Sequence, residues 1–317
     1  DGIVVRLGPR HAVVRPQPHA NRVQAIAVGE RWRDGWHRAK LSSSLMTQAP
    51  TTQLTIEERR EKIAGFEIFW REAPSQVGGV PTLYVHGVPV NADEWTPFLE
   101  RTGGVALDLP GFGRSEKPMH FDGSLGGYNA FLQAFIAQQG WERFNLVVSD
   151  WGGLALITAQ ELHERINRVV IINAVPLLPG YRWHRLARIW RAPLLGEIAM
   201  GLTSRSIALR LAREARAGGQ PLPDATFDSI WDHFDHGTQR AILKLYRGAP
   251  PKQLEEAGER FELLTAPTLV IWGEQDPYIP ASFGELYAKT LPDARLELLP
   301  DAGHWPWLDR PDVVEMT

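Results

Sequence analysis

A carboxylate at a chain corner is the side chain in this sequence best placed to do chemistry. Leu146-Val147-Val148-Ser149-Asp150-Trp151-Gly152-Gly153-Leu154 runs an apolar strand straight into a helix through one residue and two glycines. So sharp a turn crowds the backbone, and glycine relieves the crowding. The side chain at the corner projects near the positive end of the following helix, where an anion is favoured. Two residues compete for that place. With Ser149 there, bulky Trp151 falls two positions on, where glycine is wanted; with Asp150, Gly152 falls there. Asp150 is therefore the expected nucleophile. Asp is also a favoured helix N-cap, but capping leaves the matching residues elsewhere unexplained. A carboxylate with an unperturbed pKa of ~3.9 is ionised at neutral pH. It suits displacement at a saturated carbon bearing a leaving group, and the product is an alkyl ester that water must then hydrolyse.

VVSDWGG resembles the nucleophile corner of two related α/β-hydrolase families, the haloalkane dehalogenases and the epoxide hydrolases. Both use an aspartate followed by Trp and Gly. The similarity runs from about Glu57 to Asp309 and is weakest in the middle of the chain. It implies a small hydrophobic substrate and no cofactor or metal. His86-Gly87-Val88-Pro89 resembles the His-Gly-X-Pro loop of these families, which implies an oxyanion hole from the backbone N–H groups of Val88 and Trp151. Two such donors stabilise charge on the Asp150 carbonyl oxygen during ester hydrolysis. His86 itself reads as structural.

Asp301-Ala302-Gly303-His304-Trp305-Pro306 follows the last apolar run and comes after the corner, so His304 is the expected base that activates water. Gly273-Glu274-Gln275-Asp276-Pro277 follows Thr268-Leu269-Val270-Ile271-Trp272, and Asp276 matches the acid that orients the histidine. Glu274 is its alternative. Asp301 and Asp309 read as loop and helix-cap residues. Some dehalogenases carry the acid one strand earlier, but that strand ends here in Ile172-Asn173-Ala174, without a carboxylate. The Asp108–Ser115 loop reads as structural rather than as part of a metal site.

The leaving group divides the two families. An epoxide oxygen needs a proton, which epoxide hydrolases supply from tyrosines; Tyr246 resembles the second of these and Tyr181 matches the first less well. Each is also readable as core packing. A halide needs donors instead. Trp151 supplies one, and Trp183 or Trp190 could supply another, since the Val88 side chain cannot. Val148 looks more like a dehalogenase residue. The balance favours an epoxide hydrolase, with a haloalkane dehalogenase second. A serine esterase and a non-catalytic small-molecule receptor of the same fold are further rivals.

Elements must hold these residues. Glu61–Gly65 and Phe66–Ala73 read as a hairpin. Candidate strands follow at Pro81–His86, Val105–Leu109, Phe144–Ser149, Arg168–Asn173, Pro267–Trp272 and Ala294–Leu299. Several are apolar on both faces, as in a parallel sheet covered by helices. Gly127–Gln139 and Leu154–His163 read as helices between them, so the expectation is an α/β fold, a mostly parallel doubly wound sheet. From 175 to 264 the strands stop, helical periodicity takes over, and Trp183, Trp190 and Trp231 mark its apolar side. This is the expected inserted helical cap, dividing the core into 46–174 and 265–317. The last segment reads as truncated, with a helix only beginning after Pro311.

Bulk properties set limits. The 317 residues are 44% hydrophobic with net charge −3 and no cysteine. Disulfides and thiolate metal sites are excluded. The overall charge offers no sign of a nucleic-acid or membrane-surface partner, and oligomeric state is not legible. No apolar run reaches the ~20 residues of a membrane span, which makes cytoplasmic the default location. Residues 1–45 carry seven arginines and one lysine against three acids. They read as a disordered extension, with a nucleic-acid-binding arm as the alternative, and Met46 opens a segment that reads as a start.

Overall fold

The computed structural model describes residues 54–75 and 79–317; the expected extension, 1–45, lies outside them. Eight strands are formed: β1 (Glu57–Ile63), β2 (Phe66–Ala73), β3 (Thr82–Val85), β4 (Gly104–Leu107), β5 (Phe144–Asp150), β6 (Ile166–Ala174), β7 (Thr268–Gly273) and β8 (Ala294–Leu299). They make one sheet in the order β1-β2-β4-β3-β5-β6-β7-β8. The β1–β2 and β2–β4 pairs are antiparallel and all others parallel. Every residue of β3, β4 and β5 is buried, because helices cover both faces.

β1 starts four residues earlier than its apolar pattern predicts. Glu57–Lys62 are all exposed, so no alternation marks them as a strand. Pairing with β2 makes the strand, helped by Arg59, which donates to Glu72 across it at 2.9 Å. A charged edge strand is also a poor template for unwanted pairing.

Helices α1 (Thr96–Thr102), α2 (Leu125–Gln139) and α3 (Ala155–Glu161) connect the strands up to β6. α2 begins two residues before the predicted Gly127, capped by Ser124 Oγ accepting from the Gly127 N–H at 3.1 Å. α3 is shorter than predicted, because 3-10 turns at Trp151–Leu154 and His163–Arg165 flank it. Between β6 and β7 the chain forms α4 (Arg185–Arg191), α5 (Leu195–Leu202), α6 (Arg205–Glu214), α7 (Asp224–Asp232), α8 (His236–Gly248) and α9 (Pro251–Ala257), and no strand. α10 (Ser282–Thr290) joins β7 to β8, and α11 (Pro306–Asp309) and α12 (Val313–Met316) follow.

β3 pairs with β4 on one side and β5 on the other. The chain therefore reverses its direction across the sheet between β4 and β5. Open α/β sheets bind ligands at the carboxyl ends of the strands beside such a reversal. Val88 follows β3, and Asp150 ends β5.

Candidate active site

Asp150 has φ 45° and ψ −123°, a backbone state that costs a non-glycine residue ~1–3 kcal/mol. Its neighbours enforce it. A Cβ on Gly152 would stand 2.0 Å from the Val85 carbonyl oxygen, so only glycine lets β3 lie against the corner. A Cβ on Gly87 would stand 2.6 Å from Asp150 Oδ2. That close approach lets the Val88 N–H donate to Asp150 Oδ2 at 2.8 Å. The Trp151 backbone N–H also holds the carboxylate. Burial pushes the Asp150 carboxyl above its ordinary value, against the opposing pull of His304 and the two N–H groups.

His304 sits in the loop after β8. Its Nδ1 is 2.8 Å from Asp276 Oδ2, and its Nε2 is 3.8 Å from Asp150 Oδ1. Burial alone would lower its pKa, but Asp276, Asp150 and Glu94 outweigh burial and raise it to about 9. The loop is anchored at both ends of this contact. The His304 N–H donates to the Ala215 carbonyl at 2.8 Å, and Asp309 accepts from the Gly303 N–H at 2.8 Å. Asp276 accepts from Asn173 Nδ2 at 2.6 Å, Tyr278 N–H at 2.8 Å and Ile279 N–H at 3.1 Å. Those donors fix the rotamer that presents Oδ2 to the imidazole.

The structure thus brings Asp150, Asp276, His304, Val88 and Trp151 together, and it separates them from their rivals. Glu274 is exposed. Asp301 accepts from Arg310 at 2.9 Å at the surface. Asp309 pairs with Arg216 at 2.6 Å. Ser149 is buried with its hydroxyl unpartnered and does not line the cavity described below. His86 accepts the Leu109 N–H at 2.9 Å on Nε2 and donates from Nδ1 to the Gly87 carbonyl at 2.6 Å. It braces two loops. Asp108 does the same with the Ala92 N–H at 2.6 Å and Arg114 at 3.1 Å. Among the described residues no group of three or more acidic or histidine side chains is arranged to hold a metal ion.

A cavity of about 300 Å³ lies between the sheet edge and the helices after β6. Asp150, His304 and Val88 form its floor, and Tyr181, Tyr246, Tyr278, Trp183 and Trp190 are among its walls. Trp151 is not among the lining residues. Its ring stacks on Trp183 at 5.4 Å and is covered by Tyr246 at 4.9 Å. The indole N–H groups of Trp151 and Trp183 are buried without a hydrogen-bond partner. Burial raises the pKa of Tyr181 and Tyr246, and the Asp150 charge raises both further. Both phenols therefore keep their protons.

Four residues with a place in this arrangement were not among the expected site residues. Glu94 is buried, accepts the Gly87 N–H at 3.2 Å and leaves Oε2 unpartnered. Burial holds its carboxyl well above the ordinary range, against the opposing pull of the Gly87 N–H. Asn173 takes φ 42° at the end of β6 and accepts the Gly273 N–H at 2.9 Å, besides donating to Asp276. Tyr278 stands edge-on to His304 at 5.1 Å. His184 lines the cavity, and burial lowers its pKa to about 4, so it is neutral. The four positions follow from tertiary packing, and only the strand-end location of Asn173 hinted at one of them.

A family model described as the alpha/beta hydrolase fold matches residues 80–311. The chain is 27% identical over 270 residues to epoxide hydrolase 3 of Xenopus tropicalis, covering 73% of this chain and 68% of that protein. It is also 27% identical over 260 residues to haloalkane dehalogenase 2 of Mycobacterium tuberculosis, covering 74% and 85%. A solved haloalkane dehalogenase from Bradyrhizobium elkani superposes with TM-score 0.70 at 22% identity, over 82% of this chain and 95% of the other.

Proposed function

The chain belongs to the alpha/beta hydrolase fold family, and on that premise we propose that it opens epoxides to vicinal diols through a covalent alkyl ester on Asp150. One observation carries the choice of epoxide: Tyr246 lines the cavity above Asp150, while Trp151 stands behind it, out of the lining. A phenol there meets the departing oxygen with a proton.

Asp150 Oδ1 attacks an epoxide carbon, and the carbon–oxygen bond of the ring breaks. Tyr246 gives its proton to the leaving oxygen, with Tyr181 as the second phenol in the wall. Asp150 is now a neutral ester. His304 loses one of the charges that raised its pKa and can give its proton to the Tyr246 phenolate. As a neutral base it takes a proton from water, which attacks the Asp150 carbonyl carbon. The carbonyl oxygen is Oδ2, already held by the Val88 N–H at 2.8 Å, so charge develops where a donor is waiting. Collapse releases the diol and restores the carboxylate. The hydroxyl proton of the tetrahedral centre leaves with the diol, and His304 keeps the proton taken from water, as in the resting site. The helices after β6 serve as a lid that keeps the step dry.

A haloalkane reading has its own support in the two unpartnered indole N–H groups of Trp151 and Trp183. A halide would take both, provided Tyr246 moved aside. Assaying styrene oxide against 1-bromobutane decides between them. Diol without bromide is expected; bromide without diol would reverse the assignment.

A further inference from the structure

We propose that the outer face of α5 and α6 docks on an anionic lipid surface and that apolar substrate passes from that surface into the cavity beneath. Six of the seven large apolar side chains that are exposed among the described residues fall between positions 194 and 209. Leu194, Leu195, Ile198 and Leu202 are 77%, 50%, 58% and 69% exposed, and their spacing puts them along one face of α5. A monomer in water seldom gathers its apolar surface this way. The cavity reaches the flank of this stripe: Ala199 of α5 and Thr203 just after it, each next in sequence to an exposed member of the stripe, line the cavity. Ile207 of α6 belongs to both surfaces, 47% exposed and in the lining. The cavity mouth therefore opens beside the apolar stripe.

Charge selects the occupant. The chain carries a net −3, yet residues 182–213 hold seven arginines and a single acid, Glu197. That acid is paired with Arg247 at 2.7 Å. Arg185 and Arg188 are exposed on α4, which packs against α5. Arg210 and Arg213 are exposed on α6, on the side away from the cavity residues Ala208 and Leu211. The stripe is thus flanked by cations on both sides. A second copy meeting this face about a twofold axis would set arginines against arginines. Residues 1–45, with eight cations against three acids, carry the same sign. A membrane surface rich in anionic headgroups complements both the apolar stripe and its flanks. The overall charge hides this segregation by averaging over it.

Co-sedimentation of the full chain with phosphatidylcholine vesicles, with and without phosphatidylglycerol, tests the proposal. Binding should require phosphatidylglycerol and weaken with salt. Ile198→Glu with Leu202→Glu should cut vesicle affinity ~10-fold or more, and Arg210→Glu with Arg213→Glu should do so several-fold. These positions are exposed and outside the lining, so turnover of a short, water-soluble substrate should not change. If the apolar pair fails to fold, the arginine pair carries the test. No sedimentation of the wild type with phosphatidylglycerol vesicles overturns the proposal. So does a wild-type dimer in solution that Ile198→Glu dissociates, because the face would then belong to a second copy.

Discussion

His304 Nε2 stands 3.8 Å from Asp150 Oδ1, inside the field of the carboxylate but beyond a hydrogen bond to it. Attack by Asp150 therefore breaks no bond to the imidazole, yet it removes a charge that the imidazole feels. The two steps of the proposed reaction can then be separated by removing only the second residue. In His304→Gln, alkylation should proceed while hydrolysis stops, and mass spectrometry should find the ester on Asp150. The adduct also reports its chemistry. An epoxide adds its whole mass, because the ring oxygen stays; a haloalkane adds its mass less that of hydrogen halide. Asp150→Asn should show no adduct and lose activity ~10,000-fold or more. Turnover retained in Asp150→Asn and lost in Ser149→Ala would mean a serine enzyme.

The imidazole should report the field change directly. Its pKa of about 9 is raised chiefly by Asp276, then by Asp150, then by Glu94. NMR titration should find His304 lowered in Asp150→Asn and lowered further in Asp276→Asn. The folded chain should reflect the same ionisation. A raised histidine pKa adds stability that is complete below its unfolded value of 6.5 and fades as the pH climbs through about 9. Melting curves of the wild type should therefore lose stability across that window, and Asp276→Asn should flatten the loss. An unchanged His304 titration in Asp150→Asn would break the proposed coupling of the two steps.

The sheet was readable because its inner strands are apolar on both faces and each reactive loop starts at a strand end. Asp150, Asp276 and His304 could be picked out for that reason, each behind an apolar run. Glu57–Arg60 could not, since an edge strand of charged residues shows no period and depends on its partner. Glu94 lies in Val90-Asn91-Ala92-Asp93-Glu94-Trp95, which has the look of a polar surface turn. Only the folded chain carries it beneath the corner, against the Gly87 N–H. Asn173 drew notice merely for not being a carboxylate.

That asparagine has a definite task. It accepts the Gly273 N–H at 2.9 Å and donates to Asp276 at 2.6 Å, so it ties the ends of β6 and β7 and orients the acid. Asn also tolerates positive φ better than most residues. Asn173→Ala should lose ~1–3 kcal/mol of stability, the cost of a buried donor left unpaired. Turnover should fall by up to ~100-fold, as the Asp276–His304 geometry loosens. A denaturant melt and steady-state kinetics measure both effects. Wild-type turnover in this variant would show that Tyr278 and Ile279 suffice to hold Asp276.

Tyr246 gives the sharpest division between the two leaving groups. The departing epoxide oxygen is a strong base and must be protonated as the bond breaks, whereas a halide departs without a proton. General acid assistance of this kind is worth ~100- to 10,000-fold. Tyr246→Phe keeps the ring that covers Trp151 at 4.9 Å and removes only the hydroxyl. Its packing cost should be small. If the proposed reaction is right, single-turnover alkylation by styrene oxide should slow by ~100-fold, while hydrolysis of an ester already formed should be nearly unchanged, since that step depends on His304 and the Val88 N–H. If the hydroxyl is simply part of the wall, both steps should keep their rates. If the site instead holds a halide between Trp151 and Trp183, removing the hydroxyl should leave bromide release intact or improve it.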